Sequence, residues 1–216
     1  MALDRAHNRL FIPAYGNGGY RAFQLDEDGL PADRSAMYVI GRESIYGRRS
    51  NPVPSEYELN FPGAITVFDS STQRLFGLDR FNNRILVFRA HPDEVQKYEA
   101  ATVVIGQKDF TSTERGVSAD RTGMVASAAL DEKGQRMFVV DPPNNRVLVF
   151  DIHPDRLDSD PAASFVIGKW ISIAVSAASV LADSRTRRVS PTIRCSSVCS
   201  SPTAGTCLSS TARTSA

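Results

Sequence analysis

Two arginines, Arg84 and Arg146, recur 62 residues apart in the same local setting. Each closes a run that begins with an aspartate: Asp79-Arg80-Phe81-Asn82-Asn83-Arg84 and Asp141-Pro142-Pro143-Asn144-Asn145-Arg146. A guanidinium presents a planar fork of N–H donors that suits two-pronged contact with a carboxylate or phosphate. Arg84 and Arg146 are therefore the candidate ligand-binding residues. The competing role, and the expected one, is an ion pair between neighbouring structural units, with Asp79 or Asp141 as partner. Asparagine tolerates positive φ and hydrogen-bonds local backbone, so Asn82-Asn83 and Asn144-Asn145 suit the end of a hairpin. Asp79 and Asp141 are expected to accept turn N–H groups in an Asx arrangement, which makes all six Asp and Asn residues turn structure.

No other motif carries chemistry. Of the three histidines, His7, His91 and His153, the last two recur before Pro-Asp. A repeated histidine belongs to the repeat or to solvent more than to a single active site. Gly16-Asn17-Gly18-Gly19 lacks the lysine and the following helix of a phosphate loop. Asp26-Glu27-Asp28-Gly29 lacks the ligand spacing of an EF-hand and reads as a turn. The arginine-rich stretch 41–49 reads as a solvated connection. No catalytic, cofactor-binding or metal-binding residue is assigned.

The elements that must position these residues form a repeat. Arg9-Leu10-Phe11, Arg74-Leu75-Phe76 and Arg136-Met137-Phe138 are spaced by 65 and then 62 residues. Val39-Ile40-Gly41, Val104-Ile105-Gly106 and Val166-Ile167-Gly168 keep the same spacings. Two anchors sharing one period mark a true repeat. Each unit reads as four strands. The first is small and apolar (64–68 and 125–130), and the second is the Arg-Leu-Phe strand (136–140 in the last unit). The third is β-branched (85–88 and 147–150), and the fourth ends at Val-Ile-Gly after a His-Pro-Asp loop. A short helix is expected over 93–101, with Pro92 at its start. One four-stranded antiparallel sheet cannot bury both faces alone. Stacking sheets radially does so, which is the β-propeller solution.

Taken in order, these elements resemble the NHL repeat: Arg-Leu-Phe-Val-x-Asp, then Asn-Asn-Arg-Val-x-Val-Phe, then Val-Ile-Gly-Gln-x-Asp-Phe. The second repeat shows the last as Val104-Ile105-Gly106-Gln107-Lys108-Asp109-Phe110. The resemblance covers residues 1–169 and implies an all-β partial propeller of three four-stranded blades, about 1–63, 64–124 and 125–169. The first repeat departs from the pattern, with Gly18 and Gly19 where Asn83 and Arg84 stand later and no Gln after Gly41. Related propellers serve mostly as binding platforms and only some as enzymes. The resemblance thus implies a non-catalytic platform for a protein, peptide or glycan, with no cofactor. The alternative it leaves is a propeller lyase or lactonase-type hydrolase, whose divalent metal sits on the central axis and draws residues from several blades.

Composition narrows the partners. A net charge of +1 over 216 residues gives no field favouring nucleic acid. No run approaches the roughly 18 apolar residues that span a bilayer. The N-terminus has no apolar stretch after its charges, so no signal peptide is read there, and the compartment stays open. The chain reads as a fragment truncated at both ends. Propellers close with about four to eight blades, so three should leave an apolar face at each end, with Val67, Phe76, Val139 and Phe150 bare. Self-association through such faces is expected.

From Trp170 the character changes. The tail is rich in Ser and Thr, has no Lys, a single acidic residue (Asp183), and all three cysteines, Cys195, Cys199 and Cys207. Composition alone suggests a disordered tail. The genetic code suggests another origin. Read from the third base of each codon, Trp170-Ile171-Ser172 permits Met-Asp-Phe, which restores Val-Ile-Gly-x-x-Asp-Phe in register. The stretch 197–206 likewise permits Arg-Leu-Phe-Val-Ala-Asp-x-Gly-Asn, some 61 residues after Arg136. The expectation is an out-of-frame translation beginning near codon 169, with the cysteines as its by-products rather than a zinc set.

Overall fold

The computed structural model describes residues 1–14, 18–42, 53–60, 62, 65–96 and 98–168. The described residues all belong to one compact unit. The tail and most of the 41–49 stretch lie outside the described residues. Sheet 1 holds β1 (Ala2–Asp4), β2 (Arg9–Pro13), β3 (Tyr20–Gln24) and β4 (Tyr38–Ile40). Sheet 2 holds β5 (Val67–Asp69), β6 (Arg74–Asp79), β7 (Arg84–Arg89) and β9 (Ala101–Ile105). Sheet 3 holds β10 (Ser127–Asp131), β11 (Arg136–Asp141), β12 (Arg146–Asp151) and β13 (Phe165–Gly168). The four strands of each sheet run antiparallel in chain order, so this is an all-β partial propeller of three blades.

Period-two alternation assigns each residue to a face. The face of sheet 1 turned forward along the chain presents Phe11, Tyr20, Ala22 and Ile40. These pack on Phe68, Leu75, Leu86, Phe88 and Val104 from the backward face of sheet 2. The forward face of sheet 2, with Phe76, Leu78, Ile85, Val87 and Ile105, packs on Met137, Val139, Leu148 and Phe150 of sheet 3. Sheet 2 is thus covered on both sides. Each large apolar side chain so buried contributes about 1.5–3 kcal/mol.

Two expectations are corrected here. The first concerns the apolar residues expected to be bare. Phe76, Val139 and Phe150 are fully buried and Val67 nearly so, because all four point into the seam between sheets 2 and 3. The exposed apolar residues lie one step along the pleat, where Val140, Phe165 and Ile167 are 38%, 66% and 54% exposed. The second concerns the helix over 93–101. Glu94 and Val95 both donate to the His91 carbonyl, which closes a single turn. One turn does not offset the cost of helix nucleation. Glu99 instead accepts from Arg89 Nε at 2.9 Å and from the Gln96 N–H at 2.8 Å. The strand β8 (Tyr98–Glu99) then joins β4 in parallel, giving sheet 1 a fifth strand.

Candidate functional site

The Asp-x-x-Asn-Asn-Arg runs sit at the ends of two matching hairpins. Asp79 and Arg84 are the last cross-strand pair of β6 and β7, and Asp141 and Arg146 that of β11 and β12. Between them the chain makes a 3-10 turn, Arg80–Asn82 or Pro142–Asn144, and reverses at one left-handed residue. That residue is Asn83 (φ 54°) in one hairpin and Asn145 (φ 51°) in the other, the conformation for which asparagine is suited.

The aspartates do not cap their own turns' backbone, as the Asx expectation had it. Asp79 Oδ2 accepts from Asn82 Nδ2 and Arg84 Nε, both at 2.9 Å, and Oδ1 accepts from the Asn60 N–H at 2.8 Å. Asp141 repeats this with Asn144 Nδ2 at 2.8 Å, Arg146 Nε at 2.9 Å, and the N–H groups of Gly123 and Met124. The asparagine amide takes the place of the turn N–H, which frees the second carboxylate oxygen for the incoming loop. Burial is the largest influence on Asp79 and pushes its carboxyl up to about 6, against the opposing pull of Arg84, Asn82 and the Asn60 N–H.

Both guanidiniums are buried and engaged. Arg84 Nη2 donates to the carbonyls of Ser55 (3.1 Å) and Glu58 (3.0 Å), and Nη1 to that of Phe110. Arg146 donates to the carbonyls of Val117 and Arg121. The ion pair therefore stays inside one hairpin, while the outer N–H groups grip neighbouring loops. The fork that would meet a ligand carboxylate is taken up by main-chain oxygens.

The Val-Ile-Gly-Gln-x-Asp-Phe element shapes the loop that Arg84 holds. Gly106 has φ +87°, and a Cβ there would lie 2.9 Å from Thr122 Cγ2, so only glycine fits. Gln107, fully buried, donates to the carbonyls of Asn83 and Glu114. Asp109 Oδ1 accepts from the backbone N–H groups and hydroxyls of Thr111 and Ser112, which hold its carboxyl well below the usual range.

The opposite end of the sheets carries a second set of clamps that sequence reasoning missed. Arg9 Nε donates to Asp4 Oδ2 at 3.1 Å, Nη1 to the Tyr38 hydroxyl at 2.6 Å, and Nη2 crosses to Gln73 Oε1 of sheet 2 at 2.9 Å. Arg74 pairs with Asp69 at 3.4 Å and crosses to Gln135 Oε1 (3.3 Å) and the Ile152 carbonyl of sheet 3. The arginines of the first two Arg-Leu-Phe anchors thus each tie their own sheet to the next. Their signal was the invariant spacing of Asp4, Asp69 and Asp131 five residues ahead of Arg9, Arg74 and Arg136.

The histidines stay in the loops. His91 and His153 each accept at Nδ1 from the N–H two residues on, at 3.3 Å. Among the described residues no three His, Cys, Asp or Glu side chains are grouped to hold a metal. No helix there is long and apolar enough to cross a membrane. Beside β1, β5 and β10, Leu3, Arg5, Phe68, Ser70 and Glu132 line a cavity of about 370 Å³. Ser70 Oγ donates to Glu132 Oε2 across it at 2.9 Å.

No family model matches this chain, and no curated protein does. Among solved structures it is similar to a provisionally assigned 6-phosphogluconolactonase from Bacteroides uniformis, with a TM-score of 0.37 and 17% identity. That match covers 76% of this chain and 56% of the other, so the chain spans little more than half the length of that protein.

Proposed function

We propose that this chain is an NHL-type portion of a propeller that acts as a non-catalytic platform for a protein, peptide or glycan. The observation that carries this reading is the paired Asp–Asn–Arg clamp at one end of sheets 2 and 3. Each clamp fastens connecting loops to a rigid hairpin end: 55–60 and 110 at Arg84 and Asp79, 117–124 at Arg146 and Asp141. Loops held in place on a stiff scaffold are the common basis of a recognition surface. The repeated charged residues spend their donors on this task.

Glycan and peptide arrays probed with the purified chain test the reading, together with metal analysis by inductively coupled plasma mass spectrometry. The expected result is saturable binding that survives EDTA. A stoichiometric divalent ion whose removal abolishes lactone hydrolysis would overturn the platform reading in favour of the hydrolase.

A further inference from the structure

The repeat places equivalent positions at both covered seams and at the two outer faces. The forward faces of sheets 1 and 2 present Phe11, Tyr20, Ala22, Ile40 and Phe76, Ile85, Val87, Ile105. The corresponding residues of sheet 3 are Phe138, Val147, Val149 and Ile167, joined by Val140 and Phe165. On β11, β12 and β13 these residues are apolar, whereas β10 adds Ser127 and Ala129; Val149 is buried, yet Phe165 and Ile167 are more than half exposed. At the other end, the backward face of sheet 1 carries Leu3, Leu10, Ile12 and Phe23, the counterparts of Phe68, Leu75, Gly77 and Phe88. Leu3 is 41% and Ile12 36% exposed. What covers a forward face in this molecule is a backward face, twice over, and one of each is left.

The polar ties give an independent observation. Arg9 reaches forward to Gln73, and Arg74 to Gln135. Gln73 and Gln135 occupy the same left-handed turn position, with φ of 52° and 47°. The next arginine in the series, Arg136, is exposed, and its side chain makes no such tie to any described residue. The first residue of the turn series, Asn8 (φ 49°), is exposed and receives no such arginine.

We infer that two copies of this chain associate head to tail, the forward face of sheet 3 in each covering the backward face of sheet 1 in the other, with Arg136 meeting the second copy's Asn8. Head-to-tail contacts form rings when the rotation closes. Three sheets and three sheets make six, inside the span of about four to eight blades that propellers use. Arg21 sits on the backward face of sheet 1 where sheets 2 and 3 have Leu86 and Leu148. Its stem adds apolar cover while its head reaches the rim.

Size-exclusion chromatography with light scattering on the full chain tests this. The expected mass is twice the 23.6 kDa of one chain. Ile12→Lys and Val140→Glu lie on the two opposed faces, at positions 36% and 38% exposed, so neither needs to disturb a seam within the chain. Each variant alone should run at the single-chain mass with an unchanged circular dichroism spectrum. Mixed in equal amounts they should return to the double mass, because the mixed pair has one unaltered contact and one Lys–Glu contact. A wild-type monomer refutes the inference, as do species of three or more copies or aggregates, which mean a contact that does not close. So does a mixture that stays monomeric, or a variant that remains dimeric, since either places the contact elsewhere.

Discussion

Arg84→Ala is the sharpest test of the clamp. The substitution removes the Nε donor 2.9 Å from Asp79 Oδ2 and strips donors from the carbonyls of Ser55, Glu58 and Phe110. Both members of the ion pair are 0% exposed, so water does not replace the lost guanidinium without opening the loops. Breaking a buried pair from one side costs about 3–5 kcal/mol, because the remaining charge is stranded. That is a large part of the roughly 5–15 kcal/mol that holds a typical domain together. For a domain of this size about 2–4 °C is lost per kcal/mol, which puts the melting temperature on the order of 10 °C lower. Arg156→Ala is the control. Its pair with Asp151 has the same 2.8–2.9 Å contact distance but is 58% and 43% exposed, and such pairs are worth about 0–1 kcal/mol. Urea denaturation of the two variants, with Asp79→Ala and the double variant to complete a cycle, gives the comparison. The double variant should cost less than the two singles added together, since no charge is left stranded. If Arg84→Ala melts with Arg156→Ala and the wild type, the clamp does not stabilise the fold. If it also loses a bound ligand, the guanidinium was a recognition group after all.

Asn145→Gly should leave the urea midpoint nearly unchanged, whereas Asn145→Val should lose about 1–2 kcal/mol through its left-handed backbone. Melting temperature against pH should show two limbs of opposite sign. Asp79 binds its proton more tightly when folded (about 6, against 3.8 unfolded), so stability should rise as pH falls from about 6 to 4, and Asp79→Asn should abolish that rise. At Asp69 burial alone would raise the carboxyl, but hydrogen bonds from Thr72, Ser71 and Gln135 outweigh it and hold it below 3.8. Its contribution is present above that value and lost as pH falls through the lower folded one, so stability should drop below about pH 4, less steeply in Asp69→Asn. Resequencing the gene near codon 169 should find that restoring one base carries the frame through another Arg-Leu-Phe strand. Stop codons within that stretch of the alternative frame would refute the out-of-frame origin.

Much of this architecture was legible before any fold was known. The strand order follows from two anchors sharing one period, and the left-handed turns at Asn83 and Asn145 follow from asparagine's tolerance of positive φ. The turns are a local property, set by residues within a few positions of one another, and the period is a recurrence visible along the chain itself. The faces were not legible. Alternation divides Phe76 from Leu75 and Val139 from Val140, but both sets are apolar, so only the stacking of sheets decides which set is buried. The same holds for the arginines. Sequence spacing pairs Arg84 with Asp79 and Arg74 with Asp69 equally well. Which guanidinium grips loops and which crosses to the next sheet depends on what lies beyond each end of the strand, and those neighbours are 26 to 78 residues away along the chain. The strand over 98–99 was hidden for the same reason. Its partner is β4, far back in the sequence, and a two-residue strand carries no period of its own.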